Sequence, residues 1–158
     1  MLNRNFDSLS VSGVLNLSEK NIVAGSPLMA SANGYKLADN EDTSVFAGLS
    51  VNYFCPFNNE VTGGDFHADS GMVTIFKQGE CTLDKDVYFE ADGQKKEVFP
   101  YDSTKTYKVD DELYVDDKGI ITNDATKKNA TGSNKVGRVV VPATATSSAM
   151  VVYVNVAA

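Results

Sequence analysis

Leu28-Met29-Ala30-Ser31-Ala32-Asn33-Gly34 sets a short apolar run before a polar turn that ends in glycine. The frame returns as Val87-Tyr88-Phe89-Glu90-Ala91-Asp92-Gly93 and as Leu113-Tyr114-Val115-Asp116-Asp117-Lys118-Gly119. A turn precedes each copy: Ala24-Gly25-Ser26-Pro27, Asp84-Lys85-Asp86 and Asp110-Asp111-Glu112. Gly34, Gly93 and Gly119 suit the positive φ of a tight hairpin turn, and Asn33-Gly34 and Asp92-Gly93 are strong two-residue hairpin signals. The frame therefore predicts β-hairpins.

After the first and third copies comes a loop and then a strand with an internal glycine. These are Val45-Phe46-Ala47-Gly48-Leu49-Ser50-Val51 and Val136-Gly137-Arg138-Val139-Val140-Val141. A glycine inside a strand often marks a bulge or a close backbone approach. Hairpin, loop and glycine strand thus occur twice. This suggests a duplicated unit over residues 22–53 and 108–156, with an inserted region 54–107. The chain closes on Met150-Val151-Val152-Tyr153-Val154-Asn155-Val156, where alternate residues face opposite ways, as on a strand tied into a sheet.

Short apolar runs between turn signals predict strands at 22–23, 28–30, 45–53, 72–76, 87–91, 97–101, 112–115, 136–141 and 150–156. Composition agrees. Val occurs 19 times and Leu only nine, Thr occurs 11 times, and Tyr and Phe together occur 15 times. Such side chains suit a pleated, half-buried surface. No run has the spacing of a long amphipathic helix. The fold class is all-β: a small β-barrel or β-sandwich of short hairpins, one domain over residues 21–158. Residues 1–20 read as an extended N-terminal arm. Its Phe6, Leu9, Val11, Val14 and Leu15 are too apolar for a free tail, so the arm should lie on its own domain or on a neighbour.

The formal net charge is −7. Phosphate binding needs clustered Lys and Arg, so nucleic acid is not expected as a partner. Residues 1–84 hold ten acids and four bases, and residues 139–158 hold no charge at all. The uncharged end is interrupted by Pro142, Thr144, Thr146, Ser147 and Ser148, so no membrane span is expected. Residues 1–20 contain no apolar signal-peptide core, which places synthesis and folding on the cytosolic side. Cys55 and Cys81 are then expected as free thiols.

The repeated phrase of turn, apolar strand, glycine, polar loop and glycine strand resembles the capsid cement, or decoration, proteins of tailed bacteriophages. The stretches that carry it run over residues 24–51 and 110–156, about half the chain. The resemblance implies a β-barrel or β-tulip-like domain, a homo-oligomer (a trimer), seated on the outside of the head. Its partner would be the major capsid protein, and its location the capsid surface of a virion assembled in the host cytoplasm. It carries over no catalytic residue and no cofactor.

The only histidine, His67, alternates with Asp65 and Asp69. On a strand these three share one face, a weak candidate set for Zn²⁺, Mn²⁺ or Ca²⁺. The flanking Gly63-Gly64 and Ser70-Gly71 point instead to a loop. No nucleophile elbow, metalloprotease helix, dinucleotide fingerprint or phosphate loop occurs. The expectation is therefore a non-enzymatic virion structural protein that stabilises contacts between capsid subunits. The alternative is a β-sandwich binding module: a fibre, adhesin or carbohydrate-binding domain.

Overall fold

The computed structural model describes residues 2–4, 9–14, 22–51, 72–89 and 92–156. Its strands are β1 (Leu2–Arg4), β2 (Leu9–Val14), β3 (Pro27–Ser31), β4 (Gly34–Leu37), β5 (Phe46–Ser50), β6 (Met72–Leu83), β7 (Asp86–Phe89), β8 (Lys95–Val98), β9 (Glu112–Val115), β10 (Ile121–Thr122), β11 (Lys135–Val141) and β12 (Met150–Asn155). The described residues contain no α-helix, only a 3₁₀ turn at Ala125–Lys127. The chain is nearly all β, as its composition and turn signals predict. Its main sheet is antiparallel and curls into a half-barrel.

The strand order along the sheet is β10-β9-β11-β12-β6-β5-β3-β4. It reads as two four-strand units joined where β12 meets β6. The units match in register. In the first, Leu28 of β3 pairs with Gly48 of β5, and Met29 pairs with Phe46 past a bulge at Ala47. In the second, Leu113 of β9 pairs with Gly137 of β11, and Tyr114 pairs with Lys135 past a bulge at Val136. Onward, β5 pairs Leu49 with Phe76 of β6, while β11 pairs Arg138 with Tyr153 of β12.

Both glycines are required at the same point of this scheme. A Cβ on Gly48 would lie 2.7 Å from the carbonyl oxygen of Phe76, and one on Gly137 would lie 1.9 Å from that of Tyr153. Each glycine also has positive φ, +142° and +158°. No L side chain meets both conditions without moving a strand.

Within the expected inserted region 54–107 lies β6, which pairs with β5 of the first unit and forms the spine of the sheet. β5 and β2 flank its first half, and β12 and β1 its second. The apolar pattern hides this, because Lys77-Gln78-Gly79-Glu80 interrupts the run at residue 76.

Where it is described, the N-terminal segment lies along β6 of its own domain. β1 pairs Leu2 with Leu83, and β2 pairs Val11 with Ile75. β6 is 12 residues long, and β5 pairs with only a short part of it. The backbone groups left over are satisfied by any chain that runs alongside, whatever its side-chain period.

The main core gathers Leu113, Val115, Val136, Val139, Val152 and Val154 with Phe46, Leu49 and Phe76. A smaller cluster holds Ile22, Leu28, Val73 and Ile75. Each of these side chains is at most 4 % exposed. Burying one such aliphatic residue contributes about 1.5–3 kcal/mol.

The loops that follow the two hairpins grip each other. Asn129 Nδ2 donates to the Glu41 carbonyl at 2.9 Å, and the Ala130 N–H donates to Asp42 Oδ1 at 2.9 Å. Buried Asn134 donates to the carbonyls of Val115 and Lys127 and accepts from the Asn129 N–H. The Asn129 and Ala130 bonds tie the two units together, and the Asn134 bonds hold the second loop in place for them. The β7–β8 hairpin forms a separate two-stranded ribbon.

Candidate functional site

Asp65, His67 and Asp69 lie outside the described residues, as do Cys55, Phe6 and Leu15. Among the described residues no group of three or more His, Cys, Asp or Glu is placed to hold a metal. Leu9, Val11 and Val14 fall on β2, where Val11 is 36 % exposed. Gly34, Gly93 and Gly119 adopt positive φ at hairpin turns. Cys81 is a free thiol packed in the main core, and burial pushes it up to about 12. A thiol so hard to ionise is a packing group rather than a nucleophile.

One surface feature among the described residues is a cleft between two loops far apart in sequence. Its floor begins with Phe99-Pro100-Tyr101, just after β8. The Tyr101 ring stands edge-on to Phe99 (5.6 Å, 75°) and to Tyr107 (5.6 Å, 89°). Such edge-to-face pairs add about 0.5–1.5 kcal/mol beyond their burial. Tyr101 donates its hydroxyl to the Ser148 carbonyl, and Tyr107 donates to the Asp102 carbonyl at 2.9 Å. Burial, then the nearby Asp84 charge, raises the Tyr101 hydroxyl above its ordinary range. Burial raises Tyr107 further. Both phenols therefore stay protonated as donors: Tyr101 clamps one loop to the other, and Tyr107 braces the 99–106 loop from within.

The walls are stiffened by local bonds. On one side Asp102 Oδ1 accepts from the Thr104 N–H at 3.0 Å and from the Thr104 hydroxyl at 2.6 Å. On the other, the Thr144 N–H donates to the Ser147 carbonyl at 2.9 Å, closing a tight turn. The Ser148 hydroxyl donates to the Asp84 carboxylate beneath. The space between has a volume of about 660 Å³ and is lined by Phe99, Tyr101, Thr104, Thr106, Ala145 and Thr146, among others. Lys85 and Lys105 also line it. Both are already paired, with Glu97 at 3.0 Å and Asp124 at 3.4 Å. Its lining residues include no Cys, His, Asp or Glu. The cleft is equipped to bind by hydrogen bonds and apolar contact.

Sequence reasoning did not anticipate this cleft. Pro142-Ala143-Thr144-Ala145-Thr146-Ser147-Ser148 is dense in hydroxyls, which is the only local sign of it. A second surface feature is apolar. Val45, Val109 and Val141 are 59 %, 61 % and 52 % exposed. Val141 closes β11, and the N–H of Asp110 donates to the Val139 carbonyl, so Val109 and Val141 lie near the same end of that strand. No family model and no curated protein matches the chain.

Proposed function

We propose that this chain is a virion structural protein that binds the outside of an assembled phage capsid and stabilises contacts between major capsid protein subunits. One observation carries the reading. The phrase that resembles the cement proteins is not a chance string of turns: its two copies form one hydrogen-bonded unit twice, in the same register. Two units already joined by loop-to-loop hydrogen bonds suit a protein that bridges neighbouring subunits, because contacts made beforehand lower the ordering lost on docking. Copies spread over a lattice, or joined in a trimer, gain avidity that a free capsid subunit does not offer. The exposed valines, Val11 of β2 among them, are the apolar contacts on this reading.

The test is co-sedimentation with assembled shells and, separately, with unassembled capsid protein. Binding to shells alone supports the reading; equal binding to both, or to neither, rejects it. Deleting the first twenty residues would strip β1 and β2 from β6 and so perturb the fold. Val11→Asp and the pair Val109→Asp, Val141→Asp are better probes. They should weaken shell binding at unchanged thermal stability.

A further inference from the structure

We infer that the cleft between residues 99–106 and 142–148 is a binding site for a neutral oligosaccharide. This inference is independent of the capsid reading. Five observations carry it.

The volume of about 660 Å³ falls within the range of roughly 300–1,000 Å³ usual for small-ligand sites. The floor offers Phe99, half-buried and braced by Tyr101, as an apolar surface for the C–H face of a sugar ring. The walls offer hydroxyls from Ser103, Thr104, Thr106, Thr144, Thr146 and Ser147, groups that both donate and accept. A sugar has the same mixture, with apolar faces edged by hydroxyls.

The electrostatics select against anionic ligands. Lys85 and Lys105 are neutralised by Glu97 and Asp124, and the Glu97 carboxyl is held below its ordinary range chiefly by the Lys85 hydrogen bond. Asp84 and Asp102 stand behind the hydroxyl walls and would oppose an anion. The backbone selects against an extended peptide. The 142–148 loop spends its edge groups on the Thr144–Ser147 bridge. The floor spends its own on Ile121, through Ile121 N–H to Pro100 O and Asp102 N–H to Ile121 O. These pairings leave a peptide strand fewer backbone groups along the cleft to extend.

Hydroxyl-rich walls matter because rejection is strong where a site's polar groups would be left unpaired. These side chains are pre-positioned by the Asp102 and Thr144 turns, which lowers the ordering lost on binding.

The experiment titrates the full chain, labelled with ¹⁵N, with neutral linear hexasaccharides of glucose, mannose and N-acetylglucosamine. The same titration is run with an acidic oligouronate and with a threonine-rich peptide. Saturable shifts at the amides of Thr104, Thr106, Thr144 and Thr146 with at least one neutral sugar support the inference. Ala145 is exposed at the mouth, so Ala145→Trp fills the cleft without entering the core. It should weaken that binding by about tenfold or more while circular dichroism stays unchanged. No shift with any neutral sugar, stronger shifts with the uronate or the peptide, or full binding by A145W would each overturn it.

Discussion

Replacing Gly137 by alanine tests the central feature of the fold, the matched glycine in each unit. The new Cβ would lie 1.9 Å from the carbonyl oxygen of Tyr153, 2.9 Å from its carbonyl carbon and 3.2 Å from Val154 Cα. All three atoms are backbone, so no side chain can rotate away. An ordinary Cβ contact needs more than 3.4 Å, so β11 and β12 must part by over an ångström where Gly137 pairs with Val154. Local overpacking of this kind costs about 1–3 kcal/mol, and a φ of +158°, which L side chains rarely adopt, adds roughly 1 kcal/mol more. Weakened ladder hydrogen bonds contribute about 1 kcal/mol each. We expect a loss of about 3–5 kcal/mol. Gly48→Ala should be milder, about 2–3 kcal/mol, because its nearest backbone atom, the Phe76 carbonyl oxygen, stands at 2.7 Å rather than 1.9 Å. Gly93→Ala is the control: its φ is +83° and nothing lies within 4 Å, so only about 1 kcal/mol of backbone strain is expected. Urea denaturation followed by far-ultraviolet circular dichroism gives all three. In a chain of this size each kcal/mol moves the thermal midpoint by roughly 2–4 °C. G137A within about 1 kcal/mol of the parent, or a reversed order of the three, would refute the argument from backbone contact.

Two further outcomes follow from buried groups. Asn134→Ala removes donors to the Val115 and Lys127 carbonyls and an acceptor for the Asn129 N–H, at a side chain 1 % exposed. A loss of about 2–4 kcal/mol is expected, with faster amide exchange at Asn129 and Ala130; an effect under about 1 kcal/mol would show that the loops do not depend on this clamp. Cys81 makes stability fall in alkali. Its folded value is about 12 against an ordinary 9.0, so the unfolded chain loses this proton first and stability drops as pH rises from about 9 towards 12. Between pH 9 and 10 the parent should lose up to about 1.4 kcal/mol more than Cys81→Ala, read from urea midpoints; equal slopes would refute the assignment. Tyr107, also raised by burial, adds its own loss only above about pH 10.

Much of the fold was legible because strands and hairpin turns are written locally. Alternation in Met150–Asn155 needs only the strand's period of two, and Asn33-Gly34 needs only the φ that its turn demands. Even the recurrence of hairpin and glycine strand was readable, since Gly48 and Gly137 follow the same phrase. What lay beyond reach was pairing across the chain. The role of β6 was masked by Lys77-Gln78-Gly79-Glu80, polar residues on a strand whose backbone, not its side chains, holds β1, β2, β5 and β12.

The cleft was hidden for a related reason. Phe99 and Thr146 come together only because Tyr101 reaches the Ser148 carbonyl, a contact 47 residues long. The sequence by itself determined an all-β chain with repeated glycine-marked hairpins, because steric limits on φ and the pleat act within a few residues. The tertiary structure alone decided that the two copies share one register, that β6 joins them, and that two hydroxyl-rich loops face each other. Those are long-range choices made by backbone hydrogen bonding and packing, which leave almost no local trace.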